Sequence, residues 1–195
     1  MVRSSLSPMQ VKEEFLELLK ILESYKPKVI LEIGSYKGGT LFCFAKLAPE
    51  NSLIISIDLP FWGNEKFFKY DNLIIKLFNN FVREDQEIHL IRGYSQSIET
   101  INLIEKVLKG RKIDFLFIDG DHSYEAVKSN FVNYLKFLND NAIVAFHDIA
   151  LMSGSYVFWK EIKDNQKKYG YKAYKEIVKN GLKNLEGCGI GILYF

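Results

Sequence analysis

The chain has 195 residues, of which 48% are hydrophobic and 26% charged, and its formal net charge is +2. That length suits one domain with a full core, and so even a charge balance demands no nucleic-acid or membrane partner, neither of which is expected. No apolar run approaches the roughly 18 residues that span a bilayer, so a small molecule is the expected partner.

Met1–Val2–Arg3–Ser4–Ser5 lacks the apolar core of a secretory leader, and a soluble, cytoplasmic protein is expected. Pro8, Met9 and Gln10 open a helical pattern with apolar residues at Val11, Phe15, Leu18, Leu19 and Leu22, closed by Pro27. Residues 1–27 thus read as an N-terminal helical extension of a single domain with its core at 28–195. Val29–Ile33 is an apolar strand, followed by a turn through Gly34, Gly38 and Gly39, with Thr40 placed to cap a helix that ends before Pro49. Residues 53–57 form a strand ending at Asp58, and a helix is expected from about 64 to 82. A strand at 88–91 ends at Gly93, a helix covers 97–109, and Ile113–Ile118 is again a strand. A helix over 124–138, a strand over 142–146 and a helix over 155–168 follow. The tail, 171–178 and 189–195, reads as two strands joined by a Gly/Asn-rich turn.

Strands that are apolar on both faces and alternate with helices predict an α/β fold, a mostly parallel sheet covered on both sides. The terminal pair, with no helix between, is expected to be antiparallel. Cys43 and Cys188 lack the spacing of a zinc site or redox pair and read as free thiols. The eight lysines after Leu151, against four acids, read as a solvated face.

Two strands deliver acids and imidazoles at their carboxyl ends: Ile113–Ile118 runs into Asp119, Gly120, Asp121 and His122, and 142–146 runs into His147 and Asp148. Ligands of open α/β sheets collect at that edge. Asp121 is placed to cap the following helix, and His89, mid-strand, reads as structural. The first glycine turn is not the GxGxxG of a dinucleotide fold. Glu32, two residues before Gly34, is a poor neighbour for pyrophosphate and a good one for an ammonium group. Asp58 stands where nucleoside-binding folds place an acid for the ribose hydroxyls, a helix-preceding cap being the plainer role.

Glu32-x-Gly34-x-x-x-Gly38, Asp58, Arg92–Gly93–Tyr94–Ser95–Gln96, Ile118–Asp119–Gly120–Asp121–His122 and Phe146–His147–Asp148 together resemble a class I S-adenosylmethionine-dependent methyltransferase. The resemblance covers about residues 28–195 and is nearest to small bacterial O-methyltransferases of the macrocin and cephalosporin-hydroxylase-like type (methyltransferase domain 24). It implies a Rossmann-like, mostly parallel seven-stranded sheet with an antiparallel C-terminal strand and helices on both faces. It also implies S-adenosylmethionine as cofactor, with Glu32, Gly34 and Ser35 at the methionine moiety and Asp58 at the ribose. Gly93, Tyr94 and Ser95 would border the adenine, and Gly38, Thr40 and Asp119 complete the cofactor site.

Ionising a hydroxyl near pH 7 needs a Lewis acid, a base, or both. Metal-dependent relatives place an aspartate after the fourth strand, an acidic or amide pair after the fifth, and a base three residues beyond the first aspartate. Carried onto this chain, these are Asp119, His147–Asp148 and His122, giving Asp119 and His122 as catalytic residues and Asp119, His147 and Asp148 as ligands of a divalent cation, magnesium or manganese. His147 departs from the relatives' Asp or Glu and suits a softer metal. Either the metal is softer than magnesium, or His147 is not a ligand, or no metal binds. Phe61 and Trp62 could form a lid, Tyr156 and Trp159 could line the acceptor side, and core packing is the simpler role for each tryptophan. The acceptor would be met by short loops, helped by the N-terminal helix or by another subunit of a homo-oligomer. The expected function is methylation of a hydroxyl on a sugar or small polyol. A Rossmann-type nucleotide-binding oxidoreductase and a non-catalytic S-adenosylmethionine-binding module are the alternatives.

Overall fold

Helix α1 (Lys12–Tyr25) starts after Val11 and stops at Lys26, whose left-handed backbone (φ 56°) precedes Pro27. The computed structural model describes residues 7–62, 68–150, 153–179 and 189–195. After α1 come β1 (Val29–Ile33), α2 (Gly39–Leu47), β2 (Leu53–Asp58), the short strands β3 (Phe61–Trp62) and β4 (Phe68–Lys69), α3 (Asn72–Asn79) and β5 (Glu87–Arg92). The second half comprises α4 (Ile98–Leu108), β6 (Ile113–Ile118), α5 (Tyr124–Tyr134), β7 (Leu138–His147), α6 (Gly154–Asp164), α7 (Gln166–Tyr169), β8 (Ala173–Ile177) and β9 (Ile190–Tyr194).

Seven strands form one sheet in the order β5-β2-β1-β6-β7-β9-β8. β5, β2, β1, β6 and β7 pair in parallel, while β9 runs antiparallel to both of its neighbours. This is the expected mostly parallel, seven-stranded sheet. Its order reverses between β1 and β6, and crevices for ligands open at such reversals. Strand alternation sorts the core into two layers. Leu31, Ile33, Leu116, Ile118, Val144 and Phe146 pack beneath α4, α5 and α6, whereas Ile30, Ile54, Phe115, Phe117 and Ile143 face α1, α2 and α3. Each such buried side chain contributes about 1.5–3 kcal/mol. Phe15, Leu18 and Leu22 place α1 inside the second layer, against Phe44. Among the described residues, no helix is long and apolar enough to cross a membrane.

Several local expectations change. Where one helix was expected over 64–82, β3 and β4 form an antiparallel ribbon and α3 starts later. Asp71 sets that start by accepting hydrogen bonds from the backbone N–H groups of Leu73 and Ile74; residues 63–67 lie outside the described set. Thr40 does not cap α2. Gly38 occupies that position in a left-handed conformation without a side-chain bond, and the Thr40 hydroxyl donates to Glu32 Oε1 instead. β7 begins at Leu138 rather than 142, because the exposed Asn139, Asp140 and Asn141 continue the strand across a register shift opposite β6. Trp159 is core: it packs on Phe146 and Gly191, and its indole N–H donates to Glu176. Cys188 lies outside the described residues, as does the Trp62 side chain.

An unanticipated anchor fixes α1. Glu14 is fully buried; Oε1 accepts from the Lys179 N–H at 2.9 Å and Oε2 from the Gly189 N–H at 2.8 Å. One carboxylate thus holds the chain just after β8 and just before β9. Glu17, one turn on, pairs with Lys175 and Lys179 at the surface. Glu14→Ala strips both amides of their acceptor and should cost about 2–4 kcal/mol in urea unfolding. Glu17→Ala, which breaks only exposed pairs, should cost less than about 1 kcal/mol.

Candidate active site

Parallel strands in register set their ends side by side. Ile33 lies opposite Ile57 and Ile118, Asp58 opposite Arg92, and Ile118 opposite Phe146. The ladders continue one residue further: Gly34 N–H donates to Ile57 O, Asp119 N–H to Ile33 O, and Gly93 N–H to Asp58 O, all at 2.8–2.9 Å. Gly34, Asp58, Gly93, Asp119 and His147 therefore fall along one edge of the sheet.

Gly34 also lets two turns touch. At φ 93°, a Cβ there would lie 2.0 Å from the Asp119 carbonyl oxygen and 2.7 Å from Gly120 Cα. Only a residue without a side chain fits. Gly154 does the same at the next seam, where a Cβ would lie 2.0 Å from the Tyr124 nitrogen and 2.5 Å from the His122 carbonyl oxygen. The α6 N-terminus is thereby seated on the loop that carries His122.

A cleft of about 350 Å³ opens along this edge, lined by Gly34, Tyr36, Asp58, Phe61, Gly93, Tyr94, Ser95, Asp119 and Asp121 among others. That size suits a small-molecule ligand. Asp58 is held by three protein donors: Oδ2 accepts from the Tyr36 N–H (2.6 Å) and the Tyr70 hydroxyl (2.7 Å), and Oδ1 from the Leu59 N–H (2.7 Å). Arg92 stacks on the Tyr70 ring, 3.9 Å from its centroid. Tyr94 is 69% exposed at the rim.

Other residues expected to bind cofactor stand behind the cleft wall. Glu32 is fully buried and bonded to Thr40, and Oε2 has no hydrogen-bond partner among the described residues. Burial, reinforced by the charges of Asp119 and Asp58, holds its carboxyl well above the usual range against the opposing Thr40 bond. Ser35 bonds to Ser56 at 2.7 Å. Gly38 is packed under α3, where a Cβ would meet the Phe78 ring at 2.6 Å.

Asp119, which lines the cleft, also belongs to a cluster of two aspartates and two histidines. Asp119 Oδ1 lies 3.1 Å from His147 Nδ1 and 3.6 Å from His122 Nε2. Asp148 Oδ2 lies 3.0 Å from His122 Nε2, and Oδ1 lies 3.4 Å from His147 Nδ1. Asp148 adopts a left-handed backbone (φ 61°), uncommon for a residue with a side chain and typical of functional sites. Hydrogen bonding to Asp119 and Asp148 raises His122 to about 10. For His147, burial pulls down, but the charges and hydrogen bonds of the same two carboxylates prevail and raise it to about 10. Burial opposes ionisation of Asp119 and Asp148, yet the two imidazoles hold both below the usual carboxylate range. Carboxylates and imidazoles thus favour each other's charged forms.

Asp119, His122 and Asp148 each offer a donor atom within 4.8 Å of the others. The imidazole in this triple is His122, whereas the sequence reading gave His147 as ligand and His122 as base; His147 sits deeper, turned onto Asp119. Two carboxylates beside buried polar atoms that have no hydrogen-bond partner among the described residues (His147 Nε2, Gln10 Oε1) fit a divalent cation. Asp121 makes a turn by accepting from the Ser123 N–H, and Ser123 caps α5. His89 pairs with Glu87 on the sheet surface.

Sequence reasoning missed Gln10, whose Nε2 donates to Asp119 Oδ2 at 2.5 Å across 109 residues of chain, and Tyr70, which sits in the stretch read as helix. Neither belongs to a local motif, so no spacing signal could have found them.

The methyltransferase domain family model matches residues 31–149. Among curated proteins, the tapetum-specific methyltransferase 1 of Arabidopsis thaliana is 29% identical over 173 residues, covering 84% of this chain and 63% of that protein. Protein R132 of Acanthamoeba polyphaga mimivirus is 29% identical over 118 residues, 60% of this chain and 50% of its own. The chain thus spans less than two thirds of the length of these relatives. Of solved structures, the O-methyltransferase of Bacillus cereus with S-adenosylhomocysteine superposes with a TM-score of 0.67 at 14% identity, covering all of this chain and 86% of that one. The O-methyltransferase TomG of Streptomyces achromogenes with S-adenosylmethionine gives 0.65 at 14% identity, covering 96% and 81%. At such identity the likeness shows the fold, a Rossmann-like methyltransferase fold.

Two predictions follow from this geometry. Gly34→Ala should separate the β1 and β6 turns, weakening S-adenosylhomocysteine binding at least about tenfold by calorimetry while leaving the far-UV spectrum unchanged. In metal-free protein, both histidines titrate higher when folded than their unfolded value of about 6.5. Their stabilisation is complete below about pH 6.5 and is lost as pH climbs toward 10. The two aspartates act oppositely, their contribution being complete above about pH 4 and lost below. His147→Gln should therefore flatten the decline of the thermal midpoint between pH 6.5 and 10, as read by calorimetric melting in EDTA.

Proposed function

The chain belongs to the methyltransferase domain family, and on that premise we propose that it transfers the methyl group of S-adenosylmethionine to a hydroxyl of a sugar or another small polyol, assisted by a divalent cation. One observation carries the reading: Asp119 both lines the cleft and pairs with the two histidines of the Asp/His cluster. A donor in the cleft and an acceptor at the cluster would meet at that residue.

In this reading Asp58 takes the ribose hydroxyls, using the lone pairs that Tyr36, Leu59 and Tyr70 leave open. Tyr94 and Ser95 border the adenine. The backbone of Gly34 passes close to the methionine moiety, and Glu32 acts from behind by holding α2 through Thr40. Asp119 and Asp148 would hold the cation. Bound there, it would supply a Lewis acid for the acceptor oxygen and a positive charge opposing those of the two carboxylates beside His122. His122, half-exposed and the most accessible member of the cluster, then accepts the hydroxyl proton at Nε2. The S–CH₃ bond breaks as the O–CH₃ bond forms, leaving S-adenosylhomocysteine, a methyl ether and an imidazolium. His147 keeps Asp119 oriented from behind.

Calorimetric titration with S-adenosylhomocysteine and with NADH tests the donor half: binding of the first alone is expected, and binding of NADH alone would overturn the reading. For the acceptor half, S-adenosylhomocysteine release is followed with L-rhamnose, D-glucose, glycerol and catechol in the presence of Mg²⁺ or Mn²⁺. His122→Ala should lower turnover by about 10²–10⁴-fold with cofactor affinity unchanged; undiminished turnover would remove His122 as the base.

A further inference from the structure

Gln10 lies outside the matched family region, yet its side chain reaches the centre of the site. Nε2 donates to Asp119 Oδ2 at 2.5 Å, while Oε1 of the same carboxamide is buried without a partner. Unpartnered buried acceptors are rare and call for a missing donor or ion. This one is not isolated. His147 Nε2 is also buried and has no hydrogen-bond partner among the described residues, and its other ring nitrogen lies 3.1 Å from Asp119 Oδ1. Four residues on, Glu14 is clamped to Lys179 and Gly189, and Phe15, Leu18 and Leu22 are in the core, so the base of the Gln10 segment is fixed.

We infer that Gln10 is a ligand of the divalent cation, its amide oxygen completing an all-oxygen donor set with Asp119 and Asp148. The inference rests on the cation-assisted reading above. The two ends of a carboxamide are nearly isosteric, so half a turn about the last side-chain bond exchanges Nε2 for Oε1 at the Asp119 carboxylate. A neutral amide oxygen beside two carboxylates is a hard donor set, and the two negative charges balance a divalent ion. This choice of ligands leaves His122 Nε2 free for the proton and explains how a chain with histidine at position 147 still suits magnesium or manganese. It also makes the N-terminal segment part of the site, so that cation binding and the ordering of residues 7–11 are coupled.

The test needs no acceptor. Mn²⁺ is titrated into the wild-type chain with S-adenosylhomocysteine present, and free Mn²⁺ is read by electron paramagnetic resonance. One bound ion is expected. Gln10→Ala should weaken its affinity about tenfold, as loss of a ligand or its close support does. Gln10→Glu, which keeps an oxygen donor, should restore or tighten it, and Asp119→Ala should abolish it. Hydrogen exchange at the amides of residues 7–11 should slow on adding Mn²⁺ to the wild type and not to Gln10→Ala. Unchanged or tighter Mn²⁺ binding by Gln10→Ala would overturn the inference, as would a wild-type chain that takes up no Mn²⁺ at millimolar concentration. Calorimetry with S-adenosylhomocysteine separates this from a failure of the methyltransferase reading: only the latter predicts that the wild type binds no cofactor.

Discussion

The contact on which the site depends is the seat of Gly34 against the Asp119 carbonyl. Two parallel strands at the reversal of strand order would ordinarily diverge into separate turns. Here the absence of a Cβ lets the β1 turn lie on the β6 turn, and the ladder bond from Asp119 N–H to Ile33 O holds them there. Closeness of these two backbones is what makes one carboxylate serve both the cleft and the Asp/His cluster. Gly154 repeats the device one seam further, fixing the His122 loop against α6.

Electrostatics then sets the character of each half. Around Asp58, backbone N–H groups and the Tyr70 hydroxyl hold a carboxylate in place, and oxygen lone pairs they leave open can accept hydroxyls. Around Asp119 and Asp148, carboxylates and imidazoles fall within 3.0–3.6 Å of one another and stabilise each other's charged forms. Both imidazoles are thereby pushed above their ordinary range. In the proposed reading, His122 serves as base only when a divalent charge at the same oxygens opposes the two carboxylates. The left-handed backbone at Asp148 is consistent with a position selected for what its side chain reaches.

Much of this was legible in the sequence. Apolar runs ending in Asp58, Asp119 and His147–Asp148 fixed which strand ends face one another, because parallel pairing in register leaves little choice once the order is known. The glycine turn was legible as a close approach, although its partner is protein backbone at Gly34, and Gly38 makes room for the Phe78 ring. What could not be read were contacts without a period or a spacing. Thr40 looked like a cap because Ser and Thr before a helix usually are; a buried carboxylate on the neighbouring strand claimed its hydroxyl. Tyr70 was hidden because the apolar residues on either side of it imitate a helical face, while Asp71 starts the helix only beyond it. Glu14 and Gln10 act on residues more than a hundred positions away, and α1 alone shows only an amphipathic helix with two ordinary acids.

The central claim is that the cleft presents a methyl donor to Asp119. A crystal structure with S-adenosylhomocysteine tests it most directly. The account predicts the ribose hydroxyls on Asp58 and the thioether sulfur at the Asp119 end, between Gly34 and the His122 side. A cofactor bound in the opposite sense, with its adenine at Asp119, or bound away from Asp58, would contradict it.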